Sequence, residues 1–259
     1  GRIVPTMDTH LTYQIFCASF WQDRDGKPIA AHRTITTAQI QSGDVVPAPA
    51  MATLTGGNYA WLVKQVRHYC AKLERAGKYQ LYIWPPHCIL GTQGHALNGV
   101  VAEAVAFHSL TRFAQNAPEV KGGHPLTENY SVFAPEVLTR HDGQPLAQRN
   151  TALLKTLLAS RAVVIAGQAA SHCVKSSIDD LLSEILTVDP SLARRCYVAR
   201  DLTSSVVVPD YIDPATKQIT TGVDFTPEAD KAFARFEKAG MHLVDSTVPM
   251  AQWPEFPTN

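Results

Sequence analysis

The chain has 259 residues, 45% hydrophobic and 18% charged, enough to bury the core of one large domain or two small ones. Lys and Arg together number 23, as do Asp and Glu, so no net field points to nucleic acid or an anionic membrane as a partner. No apolar run approaches the roughly 20 residues of a membrane span, no signal-peptide pattern opens the chain, and the cysteines (Cys17, Cys70, Cys88, Cys173, Cys196) are scattered without a CxxC spacing. That combination argues against a disulfide framework and for a soluble protein of a reducing, cytoplasmic compartment.

Strand-like and helix-like segments alternate along the chain. Arg2–Met7 reads as a short strand, Asn58–Ala76 as a helix and Tyr79–Trp84 as a strand. A helix over about Leu97–Gln115 precedes a strand near Glu119–Lys121, and a further helix covers about Ala147–Ser160. Val163–Ala166 is an apolar β-branched strand, and the segment after Cys173 carries Val174, Ile178, Leu181, Leu182, Ile185 and Leu186 at the spacing of one buried helix face. Arg195–Arg200 is the next strand, Thr226–Ala239 a helix stopped by Gly240, and Met241–Val244 a final strand. At the start of that last helix, Thr226 reads as the capping residue, with Pro227 in the first turn. Two irregular stretches interrupt the alternation: Gln22–Gly57, with a turn at Asp23–Lys27 and no helical period, and Pro209–Gly222, which resembles a surface excursion. The first is either a lid or oligomer contact or a plain surface insertion. The alternation predicts an α/β protein, a mainly parallel sheet covered by helices on both faces in three α/β/α layers. With no repeat and no low-complexity linker, residues 1–259 read as a single domain.

Chemistry-bearing residues gather at the C-terminal ends of the expected strands, where open α/β sheets place their sites. Cys173 sits at a strand-to-helix junction, where unsatisfied backbone N–H groups and the helix dipole stabilise a thiolate. The alternative is a small buried filler, the commonest use of a cysteine beside a core strand. Asp8-Thr9-His10 places two ligating side chains on one face of an extended segment, or a turn cap; Gln14 follows. Trp84-Pro85-Pro86-His87-Cys88 locks the chain after its strand and presents His87 with little freedom to lose. Lys121 leaves its strand into Gly122-Gly123, placed either beside a thiolate or as solvated surface charge.

Together DTH, WPPHC followed by GT and G, KG…YSVF and GQAASHCV, in this order, resemble the isochorismatase-like cysteine hydrolase superfamily, and within it the nicotinamidases, from about Ile3 to Thr247. The resemblance implies that Cys173 is the nucleophile and Lys121 the neighbouring cation that keeps it a thiolate. Backbone N–H groups of Ala169 and Cys173 would hold the oxyanion, with a cis peptide at Gln168-Ala169. Asp8, His10 and His87 match metal ligands, implying a divalent Zn, Mn or Fe that binds the substrate's pyridine nitrogen. Trp84 and Tyr130 match residues lining the ring pocket, although packing at a pocket rim explains such aromatics equally well.

Two positions depart from the pattern. Gln14 stands where a third histidine ligand is usual, and an amide oxygen is a poorer ligand, implying a weaker or harder metal, a water-completed site or no metal. The family's first strand and helix, which supply a catalytic Asp, would precede Ile3, and Asp8 is already claimed by the metal motif. Either such a segment lies upstream or the protein is a catalytically silent member, used for assembly or binding. The leading expectation is hydrolysis of nicotinamide to nicotinate and ammonia through a thioester. A carbamoyl or maleamate-type amide is the nearest enzymatic rival, and a homo-oligomer is expected from the resemblance.

Overall fold

The computed structural model describes residues 1–212 and 219–258. Its contacts gather into two compact units, Gly1–Gln148 and Arg149–Asn259.

The first unit begins with β1 (Thr6–Asp8), β2 (Trp21–Asp23), β3 (Thr34–Ile35), α1 (Thr37–Ser42) and β4 (Val45–Pro47). It continues through α2 (Tyr59–Arg75), β5 (Leu81–Tyr82), α3 (Gly99–Arg112) and β6 (Glu119–Lys121). β1 and β6 pair in parallel with Thr6 opposite Glu119 and Asp8 opposite Lys121. β2 pairs with β4 and β3 with β5, both antiparallel. The expected helix at 58–76 forms because its apolar residues share one face. Leu62, Val66, Tyr69, Cys70 and Leu73 are buried, and the Asn58 side chain caps the first turn from Trp61 N–H. That face closes on Ile15, Phe16, Phe20, Trp21, Leu81 and Ile83, all in one core cluster. The Trp21 indole N–H is satisfied there by Ile15 O at 2.6 Å.

The stretch 22–57 is more ordered than its sequence suggests. The turn at Asp23–Lys27 is present, with the Asp23 carboxylate accepting from the Asp25 and Lys27 amides. Beyond it lie β3, α1 and β4, each two to six residues long and too short to print a period. The signal for α1 is a capping box: Thr36 Oγ1 accepts from Gln39 N–H while Gln39 Oε1 accepts from Thr36 N–H.

The second unit contains α4 (Thr151–Leu158), β7 (Val163–Ile165), a π-type turn (Ala170–Val174), α5 (Lys175–Val188), β8 (Cys196–Ala199), β9 (Val207–Ile212), β10 (Ile219–Asp224), α6 (Thr226–Lys238) and β11 (His242–Val244). Its sheet has the order β11-β8-β7, parallel throughout, with Val163 opposite Cys196 and His242 opposite Tyr197. Tyr197 is wholly buried, stacked on His242 and Trp253, and donates its hydroxyl to Pro254 O at 3.0 Å.

Two expectations change here. The excursion at Pro209–Gly222 is flanked by the antiparallel pair β9 and β10, and its central residues 213–218 lie outside the described residues. Thr226 is the first helical residue of α6, not its cap: Phe225 holds that place, and the Asp224 carboxylate accepts from Thr226 N–H at 2.8 Å. The α/β class is as the alternation implies, with parallel pairing at β1–β6 and β7–β8–β11, while β5, which leads into the Trp84–Cys88 motif, pairs antiparallel with β3. Among the described residues no helix is long and apolar enough to cross a membrane.

Candidate active site

In the first unit the parallel register of β1 and β6 brings Asp8 and Lys121 side by side at the strands' C-terminal ends. The Lys121 ammonium forms an ion pair with the Asp8 carboxylate and donates to Asn129 O at 2.7 Å. The lysine side chain is almost fully buried, so it is a fixed charge rather than a solvated one. Gly122 follows with φ +85, and a Cβ there would lie 2.7 Å from His10 Cε1; only glycine lets the loop pass this close.

His10 is buried and bridges two loops, its N–H bonded to Cys88 O at 2.9 Å and its carbonyl accepting from Leu90 N–H at 2.9 Å. Its Nδ1 lies 3.2 Å from Gly122 O, and His87 Nδ1 lies 2.8 Å from Pro85 O. A carbonyl only accepts, so both imidazoles carry a proton on Nδ1. Burial holds His10 below its ordinary pKa, in the neutral form. The two rings meet edge to face with centroids 4.8 Å apart, and Phe16 closes on His10 at the same distance.

Gln14 is wholly buried and fully used. Its Nε2 donates to Gly122 O at 2.6 Å and to His124 O at 3.1 Å, while Oε1 accepts from Leu11 N–H at 3.0 Å. It ties the turn after β1 to the loop after β6. With Gln14 spent on backbone and Asp8 paired to Lys121, the metal motif is left with two imidazoles. Among the described residues no group of three or more His, Cys, Asp or Glu side chains is arranged to hold a metal ion. The residues present do not fit the expected metal in this arrangement, and no step below passes through one.

Trp84 and Tyr130 are joined: the indole N–H donates to the phenol oxygen at 3.2 Å, and Trp84 packs against Tyr82 with centroids 4.5 Å apart. Tyr130 also hydrogen-bonds the carboxyl of Glu128, a wholly buried acid that the sequence reading passed over. An acid in a polar loop reads as solvated; the only clue was its place two residues before Tyr130.

In the second unit β7 runs out through Ala166 and Gly167 (φ +114) to a cis Gln168–Ala169 peptide bond. The π-type turn follows, and its fourth residue is Cys173, half-buried just before α5. Ala169 O accepts from the His172 and Val174 amides, each at 3.1 Å. Segment 202–206 secures the turn from outside. Gly167 N–H bonds to Leu202 O, Ala170 N–H bonds to Ser204 O, and Gln168 Oε1 accepts from Ser204 N–H and Oγ–H. Ser171 Oγ accepts from Val206 N–H at 3.0 Å and lies 2.8 Å from His172 Nδ1, within hydrogen-bond distance. His172 is buried with its ring edge against Phe225, and burial, aided by Lys175, pushes its pKa down to about 4.

Of the other four thiols, Cys88 is half-buried like Cys173, and Cys17, Cys70 and Cys196 are buried. Burial pushes up Cys17 and Cys88, Cys70 to about 12 and Cys196 to about 11. Such thiols stay protonated near neutral pH. Among the described residues the cysteines form no disulfide.

The fold is that of the isochorismatase-like hydrolases. A solved structure of the Acinetobacter baumanii nicotinamidase/pyrazinamidase matches over 95% of this chain and 78% of its own, at 16% identity and a TM-score of 0.50. The yeast nicotinamidase bound to the inhibitor nicotinaldehyde matches over 95% of this chain and 80% of its own, at 17% identity and a TM-score of 0.48. No protein-family model matches the chain, and no curated protein matches its sequence.

Proposed function

We propose that this protein is a cysteine-dependent amide hydrolase acting on nicotinamide or a similar small planar amide. The observation that carries the reading is the placement of Cys173. It follows a parallel strand, lies in the turn that enters a helix and stays half-buried.

In this reading the Cys173 sulfur attacks the amide carbonyl and forms the C–S bond, with the backbone N–H groups of Ala169 and Cys173 receiving the charge on oxygen. The C–N bond breaks, and the thiol proton leaves with the nitrogen as ammonia. Water then cleaves the thioester, releasing the carboxylic acid and restoring the thiol, so the two steps balance without a further reactant. Lys121 is held by Asp8 and Asn129 as a fixed, buried charge of the first unit. Trp84 and Tyr130 supply flat apolar surface for the ring. Residues 1–259 act as one hydrolase domain, and the chain works as a homo-oligomer.

Ammonia release from nicotinamide is the deciding measurement. Wild-type protein should turn over, and Cys173→Ala should lose about a thousandfold or more. Turnover of a carbamoyl or maleamate-type amide but not nicotinamide would keep the class and change the substrate. Full activity in Cys173→Ala, or no release from any small amide, would overturn the reading.

A further inference from the structure

We propose that Glu128 is a positioning residue for the aromatic wall, fixing Tyr130 and through it Trp84 in the orientation that receives a planar ring; the inference rests on the hydrolase reading above. The Trp84 indole N–H only donates, and it donates to the Tyr130 oxygen at 3.2 Å. The phenol and the Glu128 carboxyl are hydrogen-bonded side chain to side chain. The line of contacts runs from Trp84 through Tyr130 to Glu128, whose carboxyl helps hold the phenol in place.

Glu128 is suited to that task because it cannot move. Its N–H donates to Tyr69 Oη at 3.2 Å, and its carbonyl accepts from Glu136 N–H at 2.7 Å. The neighbouring Thr127 Oγ1 accepts from Val137 N–H at 3.2 Å, pinning the segment to the chain ten residues on. On the other side, Asn129 O receives the Lys121 ammonium. Residues 128–130 therefore touch the fixed cation and the aromatic pair in three consecutive positions.

The carboxyl's surroundings are not those of an ion pair. Glu136, the nearest acid, is matched by Lys78 at 2.8 Å, and Lys121 is matched by Asp8. Burial pushes Glu128 well above the ordinary carboxyl range, and Glu136 adds to the shift. What the carboxyl offers Tyr130 is an oxygen at a fixed place. An isosteric amide offers the same oxygen.

The test compares Glu128→Gln with Glu128→Leu in steady-state hydrolysis of nicotinamide by the full chain. Glu128→Gln should keep kcat and KM within about twofold, because its side-chain amide still hydrogen-bonds Tyr130. Glu128→Leu should raise KM about tenfold with kcat within about threefold, because the wall loosens while the Cys173 chemistry is untouched. Should Glu128→Leu fail to fold, Tyr130→Phe severs the same line of contacts with the carboxyl in place and should show the same split. Equal KM values in the Gln and Leu variants, or a loss confined to kcat, would overturn this inference while leaving the hydrolase reading standing. Absence of turnover in wild type overturns the hydrolase reading first.

Discussion

The turn after β1 and the turn after β7 both leave a parallel strand and both present reactive side chains, yet they are fixed by different means. The first is held by side chains reaching across to another loop: Gln14 to Gly122 and His124, His10 to Gly122, Asp8 to Lys121. The second is held largely by main chain, through the Gly167, Ala170 and Val206 amides and the carbonyl of Ala169. The difference teaches where each turn is vulnerable. Single side-chain substitutions should disorganise the first, whereas the second should respond to acid and to changes in chain length.

The largest expected effect falls on Gln14. Gln14→Leu removes three hydrogen bonds from a wholly buried site and leaves Leu11 N–H and two carbonyls to find new partners. A loss of about 4 kcal/mol in urea unfolding is expected, since each buried group left unsatisfied costs about 1–3 kcal/mol. A loss below about 1 kcal/mol would show that the clasp is not what orders this turn.

His172 tests the second turn. The unfolded chain protonates this imidazole near its ordinary value of 6.5, whereas the folded protein resists until about 4. Acidification between those values therefore favours the unfolded state. Stability that is complete above the upper value is lost progressively toward the lower one, by an amount on the order of 3 kcal/mol. His10, His68 and His124 are lowered too, so the measurement is a difference: wild type minus His172→Phe, in unfolding midpoint, from about pH 7 to about pH 4.5. Parallel curves would mean that His172 is not held neutral by the fold.

The smallest effect sharpens the comparison at Gly122. Gly122→Ala puts a Cβ 2.7 Å from His10 Cε1 at φ +85. A cost of about 2 kcal/mol is expected, together with a displaced His10 ring seen in its imidazole NMR signals. An unmoved ring and unchanged melting would show that the loop after β6 yields more easily than its hydrogen bonds suggest.

Much of this was legible in the sequence, and the residues show why. The helix over 59–75 falls where the pattern puts it because its apolar residues recur on one face, whereas the strand over 119–121, Glu-Val-Lys, falls in its expected place without a period of its own. Within 22–57 the elements are too short for that, and capping chemistry at Thr36 and Gln39 was the only local sign. The site motifs fixed residue types but not their commitments. Asp8 reads as a ligand from its spacing to His10, and Gln14 stands where the resemblance puts a third ligand, yet Asp8 pairs with Lys121 through a register that only the folded sheet defines. Gln14 spends its amide on carbonyls more than a hundred residues away. Glu128 was invisible because nothing local distinguishes a buried loop acid from a solvated one.

The π-type turn at Ala170–Val174 has a consequence for how this chain tolerates length changes. Such a turn holds one residue more than the α-helix it leads into, and each residue of an α-helix advances about 100° around the axis. Removing one residue between Ala170 and Val174 would let α5 extend backwards as ordinary helix and would swing residue 173 roughly a quarter of the way round. The direction in which the thiol points is thus a matter of phase, set by how many residues separate β7 from α5, and a single-codon deletion could redirect it while leaving both elements intact.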